Sequence, residues 1–315
     1  MKILSGMVIL FTLTSAFAEN SEINLIYGQD NRRDVYEVRS SSYLKLAKST
    51  AGLISLNQLS RGSDQFHLDL SNPQTLERAR NICASERFSQ QLKAPNCTGF
   101  LVGPDTMVTA GHCFSGANSP EFVCKTSAFL FDYDMKSPSH DPSKNILAEN
   151  VYRCKQVFVR YDSGVDFAVV KLDRKVTNRS PLKFRTSGIV DSRTSLVVMG
   201  HPSGLPMKIS DSGRVVKNDE PLRFSTTLDT FHGNSGSPVF DARTGLLEGI
   251  LIEGKPDYLP SRIDDPKSCQ VVNRCDDDAK NCLMDYKIDT PTKAGEVVFR
   301  ITAIARVIQQ VLSAP

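Results

Sequence analysis

Between residues 99 and 252 the apolar runs of this chain are too short for helices and too rich in β-branched and aromatic residues for loops. They are Gly99–Val102, Met107–Ala110, Phe129–Phe131, Gln156–Val159, Phe167–Leu172, Leu196–Met199, Val239–Phe240 and Leu246–Ile252, separated by clusters of Gly, Pro, Asp and Ser. Such side chains fit a pleated, half-buried surface, and turn residues at this spacing fold each run back on the last. The pattern predicts an all-β barrel or sandwich protein. Helix is predicted at two places only. Asn72-Pro73 reads as an N-cap and first helical position, giving a short helix from Pro73 to about Arg80. After a last strand from Glu296 to Ile301, Thr302 is placed to cap a C-terminal helix that buries Ile304, Ile308, Val311 and Leu312.

The N-terminus has the layout of an export signal. Lys2 precedes a mostly apolar stretch, Ile3 to Leu13, and Ala16-Phe17-Ala18 offers small residues for cleavage after Ala18. Ser5, Thr12 and Ser15 dilute a stretch already short for a bilayer, so a membrane anchor is the poorer reading. A secreted or periplasmic product is expected, with no membrane attachment after signal removal. Eight cysteines suit an oxidising compartment. Cys83, Cys97, Cys113, Cys124 and Cys154 lie in the first half, and Cys269, Cys275 and Cys282 in the second. Both counts are odd, so full pairing within the chain requires at least one bridge between the halves. The 38 basic and 35 acidic residues are scattered, and a net charge of +3 gives no footing for nucleic-acid binding. Asp276-Asp277-Asp278 lacks the alternating oxygen ligands of a calcium loop and reads as solvated.

Chemistry enters with Gly233-Asn234-Ser235-Gly236-Ser237-Pro238. A serine in a glycine-flanked turn can present its hydroxyl at the tip and leave backbone N–H groups, here those of Gly233 and Ser235, to hold a negative oxygen. The hydroxyl needs a base, and Thr109-Ala110-Gly111-His112-Cys113 supplies an imidazole. The base needs an orienting carboxylate, and Asp166 opens the run Asp166-Phe167-Ala168-Val169-Val170-Lys171-Leu172. Asp162, in a Tyr-Asp-Ser-Gly turn, and Asp173, after the apolar run, are poorer placed. His67 and His140 have no supporting context, and His201, in a Gly-Pro turn, reads as structural or surface. A zinc site of Cys97, His112 and Cys113 is the weaker reading of that segment, because adjacent His and Cys side chains rarely converge on one ion and no fourth ligand completes the set.

In the order His112, Asp166, Ser235, these segments resemble the trypsin/chymotrypsin-like serine endopeptidases, and most of all the bacterial glutamyl-endopeptidase-like branch. Cys97-Thr98-Gly99-Phe100-Leu101-Val102-Gly103-Pro104 and Gly200-His201-Pro202-Ser203-Gly204-Leu205-Pro206 add to the likeness, which spans roughly residues 97 to 254. The resemblance implies two six-stranded antiparallel β-barrels with a cleft between them and a short C-terminal helix. His112 and Asp166 would come from the first barrel and Ser235 from the second. It implies a Cys97–Cys113 bridge, peptide hydrolysis through an acyl-enzyme on Ser235, protein or peptide substrates, no cofactor, no metal and a monomer. The expected divisions are a signal at 1–18, an N-terminal extension at 19–96 (a propeptide, or a first strand plus insertion), the rest of the first barrel at 97–180, the second barrel at 181–301 and a helix at 302–315.

Specificity is read from four residues. Asp229 lies six residues before Ser235, the offset at which trypsin relatives carry the aspartate at the base of their pocket, and would favour Arg or Lys substrates; as a turn residue it would instead bond nearby backbone. His232 directly precedes the oxyanion turn, and Leu251 occupies the position where glutamyl endopeptidases use histidine. Glu253 adds negative charge near the cleft, so cleavage after Glu is disfavoured. Asn234 is neutral, which precludes the ion pair that switches on trypsin zymogens. Ile23-Asn24-Leu25-Ile26-Tyr27-Gly28-Gln29-Asp30-Asn31-Arg32 is similar to a mature start in the glutamyl branch and favours retention of residues 19–96. The alternative to an enzyme is a protease-fold binding protein that has lost catalysis.

Overall fold

The structure is a computed structural model, which describes residues 26–115, 118–254, 256–262, 264–278, 280–282 and 295–313. The export signal and its cleavage point lie outside the described residues. Six strands close the first barrel: β2 (Thr50–Ser55), β3 (Cys97–Gly103), β4 (Thr106–Thr109), β5 (Ser127–Phe131), β6 (Val151–Asp162) and β7 (Val165–Leu172), in the order β6-β7-β4-β3-β2-β5. The second uses β8 (Ser195–Gly200), β9 (Lys208–Lys217), β10 (Arg223–Thr226), β11 (Pro238–Asp241), β12 (Leu247–Glu253) and β13 (Glu296–Arg300). Their order is β9-β8-β11-β12-β13-β10, closed by the β9–β10 pairing. A short strand β1 (Arg32–Asp34) is added to the outside of β9. All the pairings within the barrels are antiparallel.

The apolar runs are continuous rather than alternating because both strand faces are covered. Leu196, Val198, Val239, Leu251 and Val298 fall in one buried cluster, while their neighbours Val197, Met199, Phe240, Ile250 and Phe299 fall in another. Side chains on a strand alternate faces, so one set fills the second barrel. The other set joins Phe100, Val108, Phe131 and Val170 of the first barrel in a core that spans both. Phe167 and Phe299 stack across it with ring centroids 6.1 Å apart. Burying such a ring contributes about 2–3 kcal/mol, so the cleft walls are fixed to one another by their backs.

The four disulfides are Cys83–Cys269, Cys97–Cys113, Cys124–Cys154 and Cys275–Cys282. The odd counts in each half are resolved by Cys83–Cys269, which closes a separation of 186 residues and contributes about 5 kcal/mol by the loop-closure argument. The Cys97–Cys113 bridge is present, and both sulfurs of the zinc reading are bonded to each other.

Two helix boundaries differ from the sequence reading. The first helix is Leu76–Arg80, capped by Thr75 rather than Asn72, because Gln74–Thr75 pairs as a strand with Leu92–Lys93. Asn72 has φ 49°, outside the extended region an N-cap adopts. At the C-terminus β13 ends at Arg300, a 3-10 turn follows at Ile301–Ala303, and the helix runs Ala305–Ser313. Ile304 and Ile308 are buried as expected, but Leu312 is 38% exposed, with one side of its side chain lying over Gly103 of β3. The helices Ser41–Ala47 and Pro120–Thr126, and strands β1, β9 and β10, were not anticipated, and a strand within residues 19–96 only without a position.

Candidate active site

His112 stands on a 3-10 turn, Gly111–Phe114, that follows β4. Asp166 is the second residue of β7, immediately after a two-residue hairpin loop. That loop is Ser163-Gly164, both with positive φ, the geometry whose twist matches antiparallel strands. The turn and hairpin are pressed together: a Cβ on Gly111 would lie 2.4 Å from the Arg160 carbonyl oxygen, so only glycine fits. Asp166 then grips His112 twice. Its Oδ1 accepts the His112 backbone N–H at 3.0 Å, and its Oδ2 lies 2.8 Å from Nδ1. This sets the tautomer, with the proton on Nδ1 and the basic Nε2 turned outward. Asp166 is buried, whereas the His112 side chain is 29% exposed to the cleft.

Ser235 arrives from the second barrel on the turn before β11. The turn docks on β3 of the first barrel, where Thr98 N–H donates to the Ser235 carbonyl at 2.8 Å. Gly236, at φ 86°, lies so close that a Cβ would stand 2.0 Å from the Thr98 carbonyl oxygen. Cys113 Sγ is 3.8 Å from the Ser235 carbonyl oxygen, so the bridge beside His112 also touches the serine residue. Among the described residues no hydrogen bond joins the Ser235 hydroxyl to His112. Such bonds are commonly long before substrate binds.

The carbonyls of this turn all face backward. Phe231 O accepts from Asn234 N at 2.9 Å, His232 O from Ser203 N at 2.5 Å, and Gly233 O from Thr98 Oγ1 at 2.9 Å. Thr98 Oγ1 in turn accepts from His201 N at 3.1 Å. His201, fully buried, donates Nδ1–H to Leu205 O at 3.0 Å, and burial pushes its imidazole down to about 4, so it is a neutral strut. With the carbonyls turned away, the N–H groups of Gly233 and Ser235 donate to no protein acceptor among the described residues. An anion can take both.

A cavity of about 260 Å³ opens beside Ser235, lined by Thr230, Phe231 and His232 on one wall, Leu251 to Gly254 on another, and Pro256, Asp257 and Glu296. His232, Leu251 and Glu253 are thus all part of its lining. Asp229 does not line this cavity. Its oxygens accept the backbone N–H groups of Tyr27 (2.9 Å) and Asn31 (2.8 Å), because the N-terminal segment runs behind the pocket. Sequence reasoning missed the acids that do line it. Glu296 accepts the Tyr27 hydroxyl at 2.9 Å and the Thr230 hydroxyl. Asp257 Oδ2 accepts His232 N–H at 2.8 Å, and burial pushes its carboxyl up to about 7. Burial, with the positive charges of Arg80 and Lys93 nearby, holds the His232 imidazole below its ordinary value and favours its neutral form. A second groove of about 540 Å³ runs past His112 and Tyr161 to Arg223, sharing Ile252 and Glu253 with the first. The sole sequence signal for Glu296 was its place at the head of a predicted strand.

Residues 97–250 match the trypsin-like peptidase domain family. The chain carries a trypsin-like peptidase domain. It is 24% identical over 158 residues to the glutamyl endopeptidase of Bacillus licheniformis, covering 46% of this chain and 45% of that one. It is 24% identical over 182 residues to a glutamyl endopeptidase of Staphylococcus aureus, covering 54% and 47%. The chain thus spans about half the length of the curated relatives it matches. Among solved structures, the VesB protease of Vibrio cholerae aligns at 14% identity with a TM-score of 0.49, covering 90% of this chain and 67% of that one.

Proposed function

We propose that this chain is an exported serine endopeptidase that cleaves peptide bonds through an acyl-enzyme on Ser235. The observation that carries the reading is the double grip of Asp166 on His112, beside a turn whose Gly233 and Ser235 N–H groups donate to no protein acceptor among the described residues. In the first step His112 Nε2 takes the Ser235 proton as Oγ attacks the substrate carbonyl carbon. The carbonyl oxygen becomes an anion held by the two N–H groups, each worth about 3 kcal/mol of barrier. The C–N bond then breaks, and His112 gives its proton to the leaving amine. Water repeats the sequence on the ester, freeing Ser235. Asp166 stays ionised throughout and stabilises the imidazolium.

The cavity beside Ser235 supports a preference for Lys or Arg side chains. Its described lining holds three acids, Glu253, Asp257 and Glu296, and His232, whose neutral form is favoured. The relatives' name points to Glu instead, but a substrate carboxylate entering among these acids would meet like charge, and Leu251 offers it no donor. The basic preference thus rests on Glu296 and its neighbours rather than on Asp229. Digestion of a peptide library by the purified protein tests both parts. Cleavage after Lys and Arg is expected, lost on Ser235→Ala; cleavage after Glu would overturn the specificity, and no cleavage at all the activity. N-terminal sequencing of secreted protein tests export, with a start at Glu19 expected.

A further inference from the structure

The segment from Ile26 to Asp34 does more than extend a sheet. It turns back on itself at Gly28, so that the N–H groups of Tyr27 and Asn31 converge on the single carboxylate of Asp229. The segment is held on its other sides as well. Cys275 N donates to Ile26 O at 3.0 Å, Gly28 N donates to Cys275 O at 3.2 Å, and β1 pairs along β9 from Arg32 to Asp34. The Arg32 guanidinium, paired with Asp30, lies 4.2 Å from the ring centroid of Phe231, and Tyr27 reaches Glu296. Asp229 is 3% exposed, and burying a carboxylate is costly unless hydrogen bonds compensate. The two residues after it, Thr230 and Phe231, form one cavity wall, and Gly233 follows two residues later.

We propose that Ile26–Asp34 is an internal brace for the turn bearing Gly233 and Ser235, and that Asp229 is the positioning residue through which it acts. Backbone N–H groups from within the chain do the bracing, so the turn is set without a newly cut amino terminus. Asn234 could not pair with one in any case, since its side chain is neutral. The brace rests on the peptidase reading, because its purpose is to aim the oxyanion donors. It also requires residues 26–34 to remain in the mature protein.

Asp229→Ala removes both acceptors and Asp229→Asn retains one carbonyl oxygen, which gives a graded test. Expected for Asp229→Ala is a fall in kcat of about 10–100-fold with KM changed less than about threefold, and for Asp229→Asn a smaller fall in the same parameter. Amide hydrogen exchange supplies a readout independent of activity. The peptide covering residues 229–237 should exchange faster in both variants, while peptides from β3 and β4 keep their wild-type rates. If Asp229→Ala does not fold, Asp229→Asn carries the same two measurements. Wild-type kcat together with wild-type exchange over 229–237 would overturn the brace. Altered exchange in a protein with no peptidase activity would uphold the brace as a structural element and sink the peptidase reading alone.

Discussion

The two halves of the site are held in different ways. His112 and Asp166 sit on adjoining elements of one barrel and fix each other directly, by two hydrogen bonds to one carboxylate. Among the described residues the turn of Ser235 has no such local partner. Its orientation comes from Thr98 of the other barrel, from Ser203 and, at the adjacent Asp229, from Tyr27 and Asn31. A general base needs a fixed tautomer and direction, which one carboxylate can supply. An oxyanion hole needs two N–H vectors aimed at a point outside the protein, which takes support on several carbonyls at once.

The largest loss should come from the chemistry itself. Ser235→Ala should lower kcat/KM on a fluorogenic peptide by about 10⁵–10⁶-fold. Asp166→Asn should follow at about 10⁴-fold, seen in kcat, because the amide would favour the wrong tautomer of His112 and weaken its backbone anchor. Thr98→Val probes the other half from across the cleft. It removes the donor to Gly233 O and the acceptor for His201 N, and should lower kcat about tenfold without altering His112. Similar kcat in Thr98→Val and wild type would erase the contrast between the halves. Glu296→Gln should raise KM for Lys and Arg substrates about tenfold with little change in kcat.

The smallest effect lies outside the site. Burial and the neighbouring Asp132 push the Asp134 carboxyl up to about 6, so the folded chain holds a proton that the unfolded chain releases near 4. Between those values the unfolded state binds fewer protons, and stability falls as pH rises. Asp134→Asn should remove about 1–3 kcal/mol of that decline, read from urea midpoints at about pH 4.5 and 7.5.

The same contrast explains what the sequence disclosed. His112, Asp166 and Ser235 stood out as candidates because each lies in a short run whose neighbours are constrained by close approach. Gly111 against Arg160 and Gly236 against Thr98 leave no room for a side chain. The all-β class was legible from short apolar runs whose two faces are both buried, and the pair of barrels from the resemblance. The pocket was not. Glu296 and Asp257 reach it from elements after β12, and nothing local tells which way a strand-opening glutamate points. Asp229 had the offset of a pocket aspartate, yet the chain some two hundred residues upstream occupies both its oxygens. Strand β2 went unread because Thr50-Ala51-Gly52 is small and weakly apolar. It packs closely under Pro95 rather than by bulk.

Covalent labelling with a fluorophosphonate probe, mapped by peptide mass spectrometry, tests the central claim most directly, because only a serine activated by its neighbours reacts at a useful rate. The wild-type protein should take up one probe per chain, on Ser235, and His112→Ala should slow that reaction by more than about 1,000-fold. Failure to label, or labelling at Ser235 that is indifferent to the loss of His112, would contradict it.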